Sequence, residues 1–231
     1  MDQLAVGIAW YVVFLLSTTV HEAAHAWVAM RGGDLTAYEG GQVSLDPMPH
    51  LQRSPWGMVL VPILSFALGG FMMGWASAPY DPVWARAHPH RAARMALAGP
   101  AANFALVVVA GLLIRGALAS GMLTLPTGLG FTSLVGAAHG GVGQAVALFL
   151  SLLFSVNLLL AVLNLIPLPP LDGSSAIGLL MSEEHANRVQ DLMEQPVLAM
   201  FGILGAFMLI DRIFSPLFVA ALGWLYPEFG L

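Results

Sequence analysis

A long stretch without charged residues restricts the fold of this chain more than any other feature. From Gly116 to Leu171 the sequence contains no Asp, Glu, Lys or Arg. Over all 231 residues, apolar residues make up 58% and charged residues only 9%. A soluble domain carries about 25% charged residues and needs them to cover its surface. The chain is therefore predicted to be an integral membrane protein that contacts the lipid bilayer over most of its surface.

The charge balance and the absence of cysteine exclude several classes of protein. The formal net charge is −5, and the arginines form no basic cluster, so nucleic acid is not an expected partner. Without Cys the chain can form neither disulfides nor thiolate metal sites. No cleavable signal peptide is expected, because Met1–Ala9 has no positively charged start. His, Asp and Glu remain as possible metal ligands.

Five apolar stretches predict an all-α polytopic membrane protein, a bundle of about four to six transmembrane or re-entrant helices. A helix of 20 residues already spans about 30 Å, the thickness of the hydrocarbon core. We treat residues 1–231 as one domain, with a core over 4–173 and a C-terminal helical segment over 182–231. The stretches are Leu4–Met30, Trp56–Ala78, Met95–Ile114, Val142–Ile166 and Pro196–Tyr226, the last being one kinked helix or a helical hairpin.

Two polar stretches complete this outline. Gly40–Leu45 alternates weakly between polar and apolar residues and could form a strand or a small β-hairpin after the first helix. Ser182–Gln195 carries four acids and is predicted to be a surface helix.

Three ionisable residues lie together inside the first apolar stretch, in the sequence His21-Glu22-Ala23-Ala24-His25. Histidines four residues apart share one face of a helix, so both imidazoles can bind one metal ion. Zinc lowers the pKa of a bound water to about 7, and the adjacent Glu22 is placed to take its proton. Ionisable residues within a membrane helix cost a few kcal/mol each. A metal site is therefore favoured over a polar contact between helices.

A zinc hydrolase site usually has a third protein ligand. Most acids of this chain lie in terminal or loop segments or in the predicted surface helix. Asp172 differs, because it follows the charge-free stretch at the end of a predicted spanning helix. Asp211 is its rival, although an ion pair with the adjacent Arg212 would explain that residue. Position favours Asp172 and leaves Asp211 open.

Three motifs follow one another in a fixed order along the chain. His21-Glu22-x-x-His25 is followed by Gly99-Pro100-Ala101-Ala102-Asn103 and then by Asn164-x-x-Pro167-x-Pro169-Pro170-Leu171-Asp172-Gly173. This set resembles the site-2 protease family of intramembrane zinc metalloproteases. Asp46-Pro47 with His50, and Gly74-Trp75-Ala76, are similar to markers of its compact bacterial members, which lack PDZ and CBS domains.

The resemblance implies a function and a set of site residues. His21, His25 and Asp172 would bind one Zn²⁺ ion per chain, Glu22 would be the catalytic base, and Asn164 would hold the substrate backbone or the developing oxyanion. The implied function is an intramembrane zinc endopeptidase of regulated intramembrane proteolysis, acting on a transmembrane protein or peptide. No role for His50 follows, because Leu51-Gln52-Arg53 departs from the family pattern. The oligomeric state stays open.

Two other functions fit parts of the pattern. A membrane metal-ion transporter would also place His and Asp within the membrane, but it predicts several sites along a path, whereas this sequence offers one compact set. A catalytically inactive membrane scaffold is disfavoured, because all four residues that the chemistry requires are present.

The resemblance also constrains topology. Its first and third motifs lie at similar depth, so the helices ending near Met30 and Ile166 should run parallel. That requires Trp56–Ala78 to re-enter the membrane instead of crossing it. Six arginines then share one side, and positive residues favour the cytoplasm. We therefore expect an active site towards the cytoplasm, in a bacterial inner membrane. The six are Arg31, Arg53, Arg86, Arg91, Arg94 and Arg188.

Three further polar residues lie in the predicted helices. Asn157 is expected to make a hydrogen bond between helices. Asn103 either supports the site through its amide or packs helices together. Thr18 could support a metal ligand, although a hydrogen bond back to its own helix is commoner.

Overall fold

The computed structural model describes residues 3–229 and is mainly helical, with no strand in that range. Both ends of the predicted domain, residues 1–2 and 230–231, lie outside it. The all-α prediction is confirmed. The helices are α1 (Gln3–Gly32), α2 (Thr36–Glu39), α3 (Pro47–Arg53), α4 (Val61–Gly69), α5 (Pro82–Ala87), α6 (Pro89–Ala119), α7 (Val142–Asn164), α8 (Asp172–Ala176), α9 (Glu183–Met193) and α10 (Pro196–Leu225).

Within residues 3–229, four helices, α1, α6, α7 and α10, are long and apolar enough to cross a membrane. Helix α6 begins at Pro89, well before the predicted start at Met95. Proline is favoured at the first helical position because its missing N–H would be unbonded there. Helix α10 continues through Pro216, so the C-terminal stretch is one helix of 30 residues and not a hairpin.

Helices α1, α6 and α7 form the centre of the bundle. Side chains of Val13, Ile114 and Phe154, one from each helix, are fully buried in a shared apolar core. Helix α1 runs antiparallel to α6, because His25 contacts Met95 near the start of α6 while the earlier Ser17 contacts Asn103. Helix α7 runs parallel to α1, because its Asn157 bonds to Ser17 and the chain just beyond its end places Asp172 beside the later His21.

Helix α10 packs outside this centre against α7. Its two ends are held by backbone contacts, with Gly202 against the Pro169 carbonyl and the Trp224 carbonyl accepting a 2.9 Å hydrogen bond from Arg115. The large apolar side chains of α10 are mostly exposed, among them Phe201, Phe207 and Met208. Such a surface is suited to lipid contact.

The segment after α3 enters the bundle and returns on the same side. A π-helical turn (Trp56–Leu60) leads into α4, and together they are too short to span a membrane. After Gly70, in the left-handed conformation at φ 69°, the chain returns as an extended segment. Its Trp75 N–H donates to the Gly57 carbonyl at 3.1 Å, and Arg53 donates to the Ser77 carbonyl at 3.0 Å. The structure therefore has the re-entrant arrangement that parallel α1 and α7 require.

The possible strand over Gly40–Leu45 is not formed. The N–H groups of Gly40 and Gln42 instead donate to carbonyls of α2, at 3.2 and 2.9 Å. Gly41 adopts a left-handed conformation with φ 73°, which reverses the chain. Because these local bonds end α2, the stretch has turns and bends in place of a β-ladder.

Asp34 fixes the chain that leaves α1. Its carboxylate accepts hydrogen bonds from the N–H and hydroxyl of Thr36, at 2.9 and 2.6 Å, and from the N–H of Asp81 at 2.9 Å. Burial raises the pKa of Asp34, but these three bonds outweigh burial and hold the pKa below its usual range. The carboxylate ties the end of α1 to the start of α5.

Candidate metal centre

Two histidines of α1 and one carboxylate converge inside the bundle. Nε2 of His21 lies 2.9 Å from Nε2 of His25. The Oδ2 atom of Asp172 lies 3.1 Å from the first of these nitrogens and 3.4 Å from the second. All three residues offer ligand atoms within 4.8 Å of one another. The structure therefore brings together the three residues that the sequence predicts as metal ligands.

The loop after α7 places Asp172 in this cluster. Helix α7 ends at Asn164, and Asp172 is the first residue of α8. Ser174 holds the start of α8, since its N–H and its hydroxyl both donate to the Leu171 carbonyl, at 3.0 and 2.7 Å. The proline-rich motif thus turns the chain at the level of the α1 histidines.

Hydrogen bonds on the far side of each ring set the two histidine tautomers. Nδ1 of His25 lies 2.7 Å from the Met95 carbonyl, which can only accept, so Nδ1 carries the proton. Nδ1 of His21 lies 2.5 Å from Oδ1 of Asn103. With both protons on Nδ1, both Nε2 lone pairs face Asp172. Histidines that bind metal usually show this pattern.

The donor set fits a zinc ion. Two Nε2 lone pairs and the Asp172 carboxylate face one another, and Oδ2 is buried without a hydrogen-bond donor. Three acceptors this close repel one another unless a cation lies between them. Two imidazoles and one carboxylate match the ligands of catalytic zinc sites, where a fourth position is left for water or substrate.

Gly99 leaves the room that this cluster needs. It lies on α6 at the point nearest the two histidines, and a β-carbon there would lie 2.5 Å from Nε2 of His21 and closer still to Nε2 of His25. Only a residue without a side chain allows α6 to approach this closely. The glycine of the second sequence motif is explained by this contact.

A cavity of about 270 Å³ opens beside the cluster. Glu22 and Asp172 both contribute to its wall, together with Tyr80 of the extended segment and Gln190 of α9. Burial, and then the nearby Glu194 carboxylate, raise the pKa of Tyr80, while a hydrogen bond with Gln190 opposes them. The Tyr80 hydroxyl therefore stays protonated at neutral pH.

Helix α9 closes one side of this cavity. Its Asp191 carboxylate pairs with Arg86 at 2.9 Å, and Asn187 donates to the Arg86 carbonyl at 3.0 Å. The ion pair is exposed, so it holds α9 only weakly. The predicted surface helix is confirmed, with an additional role as part of the cavity wall.

The other residues that the sequence suggested for the site are not part of the metal cluster. Asp211 is exposed on α10, outside the cluster, and across residues 3–229 it forms no ion pair with Arg212, since neighbouring helical residues point in different directions. Asn164 is half-buried at the end of α7 and does not line the cavity. The buried His50 bonds to the Ser44 carbonyl at 3.1 Å. Thr18 donates back to Phe14 of its own helix at 2.8 Å.

Asn157 is connected to the site more closely than its position in the sequence indicates. The predicted hydrogen bond between helices is present: Oδ1 of Asn157 accepts from Asn103 at 2.8 Å. Asn103 in turn contacts His21, so Asn157 lies two hydrogen bonds from the metal cluster. The G-P-x-x-N motif had indicated Asn103, but no sequence signal joined Asn157 to it.

The fold and the metal cluster agree with one family. The chain matches Peptidase family M50 over residues 9–209, a range that includes the whole cluster, and it belongs to this family. The resemblance drawn from the three motifs is confirmed. Family membership and four membrane-length apolar helices identify the chain as an integral membrane protein.

Curated relatives are similar over most of this chain. YwhC of Bacillus subtilis (strain 168), assigned by name as a zinc metalloprotease, is 32% identical over 163 residues, 70% of this chain and 64% of YwhC. Rip2 of Mycobacterium tuberculosis (strain H37Rv), assigned in the same way, is 32% identical over 164 residues, 71% of this chain and 54% of Rip2. The matched region thus spans less than two thirds of either relative. No solved structure matches significantly.

Proposed function

We propose that this protein is an intramembrane zinc endopeptidase that hydrolyses peptide bonds in or near transmembrane segments of membrane proteins. The observation that carries the proposal is the convergence of His21, His25 and Asp172 beside Glu22 and a cavity. Membership of a peptidase family and relatives assigned as zinc metalloproteases support the same chemistry.

The metal ligands and Glu22 have different roles in the proposed hydrolysis. His21, His25 and Asp172 would hold the zinc ion, which supplies a Lewis acid and activates water near neutral pH. Glu22 follows His21 directly on α1 and lines the cavity, where it takes a proton from the attacking water. It then returns that proton to the amine of the departing peptide. The Asn103 amide and the Met95 carbonyl keep the two imidazoles oriented.

The substrate must reach this site in an extended form. Peptide groups within a transmembrane helix are hydrogen-bonded inside that helix, so a segment must unwind before water can attack it. Asn164 is proposed to hold the substrate backbone or the developing oxyanion once the peptide enters. The buried position of Glu22 restricts attack to peptides that enter the bundle.

The catalytic end is proposed to face the cytoplasm. Arg53 lies at the mouth of the re-entrant segment, Arg86 in the last turn of α5 and Arg91 in the first turn of α6, all at the metal-site end of the bundle. Arg115 lies near the other end of α6. Positive residues concentrate on the cytoplasmic side of membrane proteins. The relatives are bacterial proteins, which supports placement in a bacterial cell membrane.

The function is tested with Glu22→Gln. The variant should bind one zinc ion with unchanged affinity but cleave nothing, because it keeps the ligands and loses the base. Membrane-protein fragments are compared by mass spectrometry between cells with wild-type protein, Glu22→Gln and the exposed control Glu39→Gln. Equal fragments in all three strains would contradict the protease assignment. Metal flux through wild-type and Glu22→Gln proteoliposomes alike, without cleavage, would favour a transporter.

A further inference from the structure

We propose that Asn157 and Ser17 are positioning residues for the metal site, acting through Asn103 on His21. Their hydrogen bonds hold the His21 ring in the tautomer whose Nε2 lone pair faces Asp172. The inference rests on the proposed role of His21 as a zinc ligand.

A chain of hydrogen bonds runs from the backbone of α1 to His21 by way of α7 and α6. The Ser17 hydroxyl donates to the Val13 carbonyl at 2.6 Å, and its oxygen accepts from Nδ2 of Asn157 at 2.9 Å. Oδ1 of Asn157 accepts from Nδ2 of Asn103 at 2.8 Å. Oδ1 of Asn103 then faces Nδ1 of His21 at 2.5 Å. One uninterrupted network therefore joins the three central helices at the metal site.

Backbone carbonyls fix the direction of every bond in this network. The Asn157 amide nitrogen also donates to the Leu153 carbonyl at 2.8 Å, and the Asn103 amide nitrogen donates to the Ser17 carbonyl at 3.3 Å. A carbonyl can only accept, so turning either amide over would place oxygen against oxygen. The Ser17 proton is already committed to Val13. The amide oxygen of Asn103 is thus the atom that must face His21.

The orientation of the Asn103 amide determines which nitrogen of the His21 ring carries the proton. An amide oxygen can only accept, so Nδ1 of His21 must carry the proton and Nε2 must be free to bind metal. If Asn103 turned over, its NH₂ group would favour a proton on Nε2, which cannot then act as a ligand. Asn157 and Ser17 are the residues that oppose this turn from the far side of Asn103.

Burial makes the network hard to replace with water. Ser17, Asn103 and Asn157 are all 0% exposed. A lost partner therefore leaves a buried polar group unsatisfied or lets an amide turn, because bulk water does not reach these groups. The effect of Asn157 on His21 passes through Asn103, since no direct hydrogen bond joins the two residues across residues 3–229.

The test is Asn157→Leu, which has similar volume and no polar atoms. Zinc affinity of the full-length protein in detergent is measured by competition with a chelator. We expect affinity to fall on the order of 10-fold, as for other residues that orient metal ligands. The visible spectrum of the Co²⁺-substituted protein should also change. Ser17→Ala, which removes the hydroxyl, should lower zinc affinity in the same direction.

Ser151→Ala is the matched control. Ser151 is also buried on α7, where its hydroxyl oxygen accepts from the N–H of Leu134 at 2.9 Å, remote from the cluster. Its loss should lower thermal stability without changing zinc affinity or the Co²⁺ spectrum. If Asn157→Leu lowers stability as Ser151→Ala does and leaves both metal readouts at wild-type values, the positioning role is wrong.

His21→Ala separates this inference from the proposed site. Loss of zinc binding in His21→Ala together with an unaffected Asn157→Leu overturns only the positioning role. Unchanged zinc binding in His21→Ala overturns the ligand assignment itself, and the inference with it.

Discussion

Gly99 of α6 and His21 of α1 are packed so closely that a β-carbon at position 99 would lie 2.5 Å from Nε2 of His21. That distance is shorter than any van der Waals contact, and the position is where three ligand atoms converge. The backbone of α6 therefore forms one wall of the metal centre.

Gly99→Ala is expected to weaken zinc binding strongly without unfolding the protein. The methyl group occupies the space between the two imidazoles, so affinity should fall on the order of 100-fold or more, the upper end of the cost of disturbing a metal site. Chelator competition measures the loss. Gly116→Ala on the same helix is the control, because a β-carbon there meets nothing within 4 Å. Equal affinities in the two variants would contradict the proposed position of the metal.

Asp172→Asn is expected to weaken zinc binding, whereas Asp211→Asn is not. The first change removes the negative charge from the cluster. We expect zinc affinity to fall at least ~10-fold, the lower value for mutation of a residue that supports a metal ligand. Asp211 is exposed outside the cluster, so its change should be silent. Isothermal titration of both variants with zinc distinguishes the two acids. A larger effect at Asp211 would reverse the assignment.

Cysteines introduced at Ser54 and Ser77 should be labelled from the same side of the membrane. The chain has no native Cys, so each new thiol is the only one to react. Both positions lie at the mouth of the re-entrant segment, where Arg53 bonds to the Ser77 carbonyl. Ser120→Cys follows α6 at the opposite end and should react from the other side with a membrane-impermeant maleimide. Opposite labelling of Ser54→Cys and Ser77→Cys would contradict the re-entrant arrangement.

Asp34→Asn is expected to lower stability at pH 7 by about 1.5–3 kcal/mol, the value of hydrogen bonds to a charged group. The folded pKa of Asp34 lies below its unfolded value of about 3.9. Its contribution is therefore present above that pH and is lost as pH falls through the folded pKa. Thermal unfolding temperatures of both proteins should differ at pH 7 and begin to converge as pH falls below about 4, towards the folded pKa. A difference that stays constant with pH would show that the charge contributes nothing.

The sequence predicts the convergence of His21, His25 and Asp172 and the class of fold well, because both depend on local patterns. His21 and His25 share a helix face through their spacing alone, and the shortage of charge requires membrane helices. Asp172 could be found because it follows a stretch without any charge.

Features that depend on distant contacts could not be read from the sequence. Ser17 and Asn157 are separated by 140 residues, and only the packing of α1 against α7 makes them partners. The weak alternation of Gly40–Leu45 was misleading, since hydrogen bonds to α2 decide its conformation. Whether Pro216 interrupts α10 likewise depends on packing that the sequence does not display.

The order in which the helices are synthesised has a consequence for the cluster that joins α1 to α8. The two histidines are present as soon as the first helix enters the membrane, but Asp172 comes only after α7 has followed. The nascent chain therefore cannot complete the cluster until three of its long helices have been inserted and packed. The proposed catalytic site therefore depends on the assembled bundle and cannot be formed by the first helix alone.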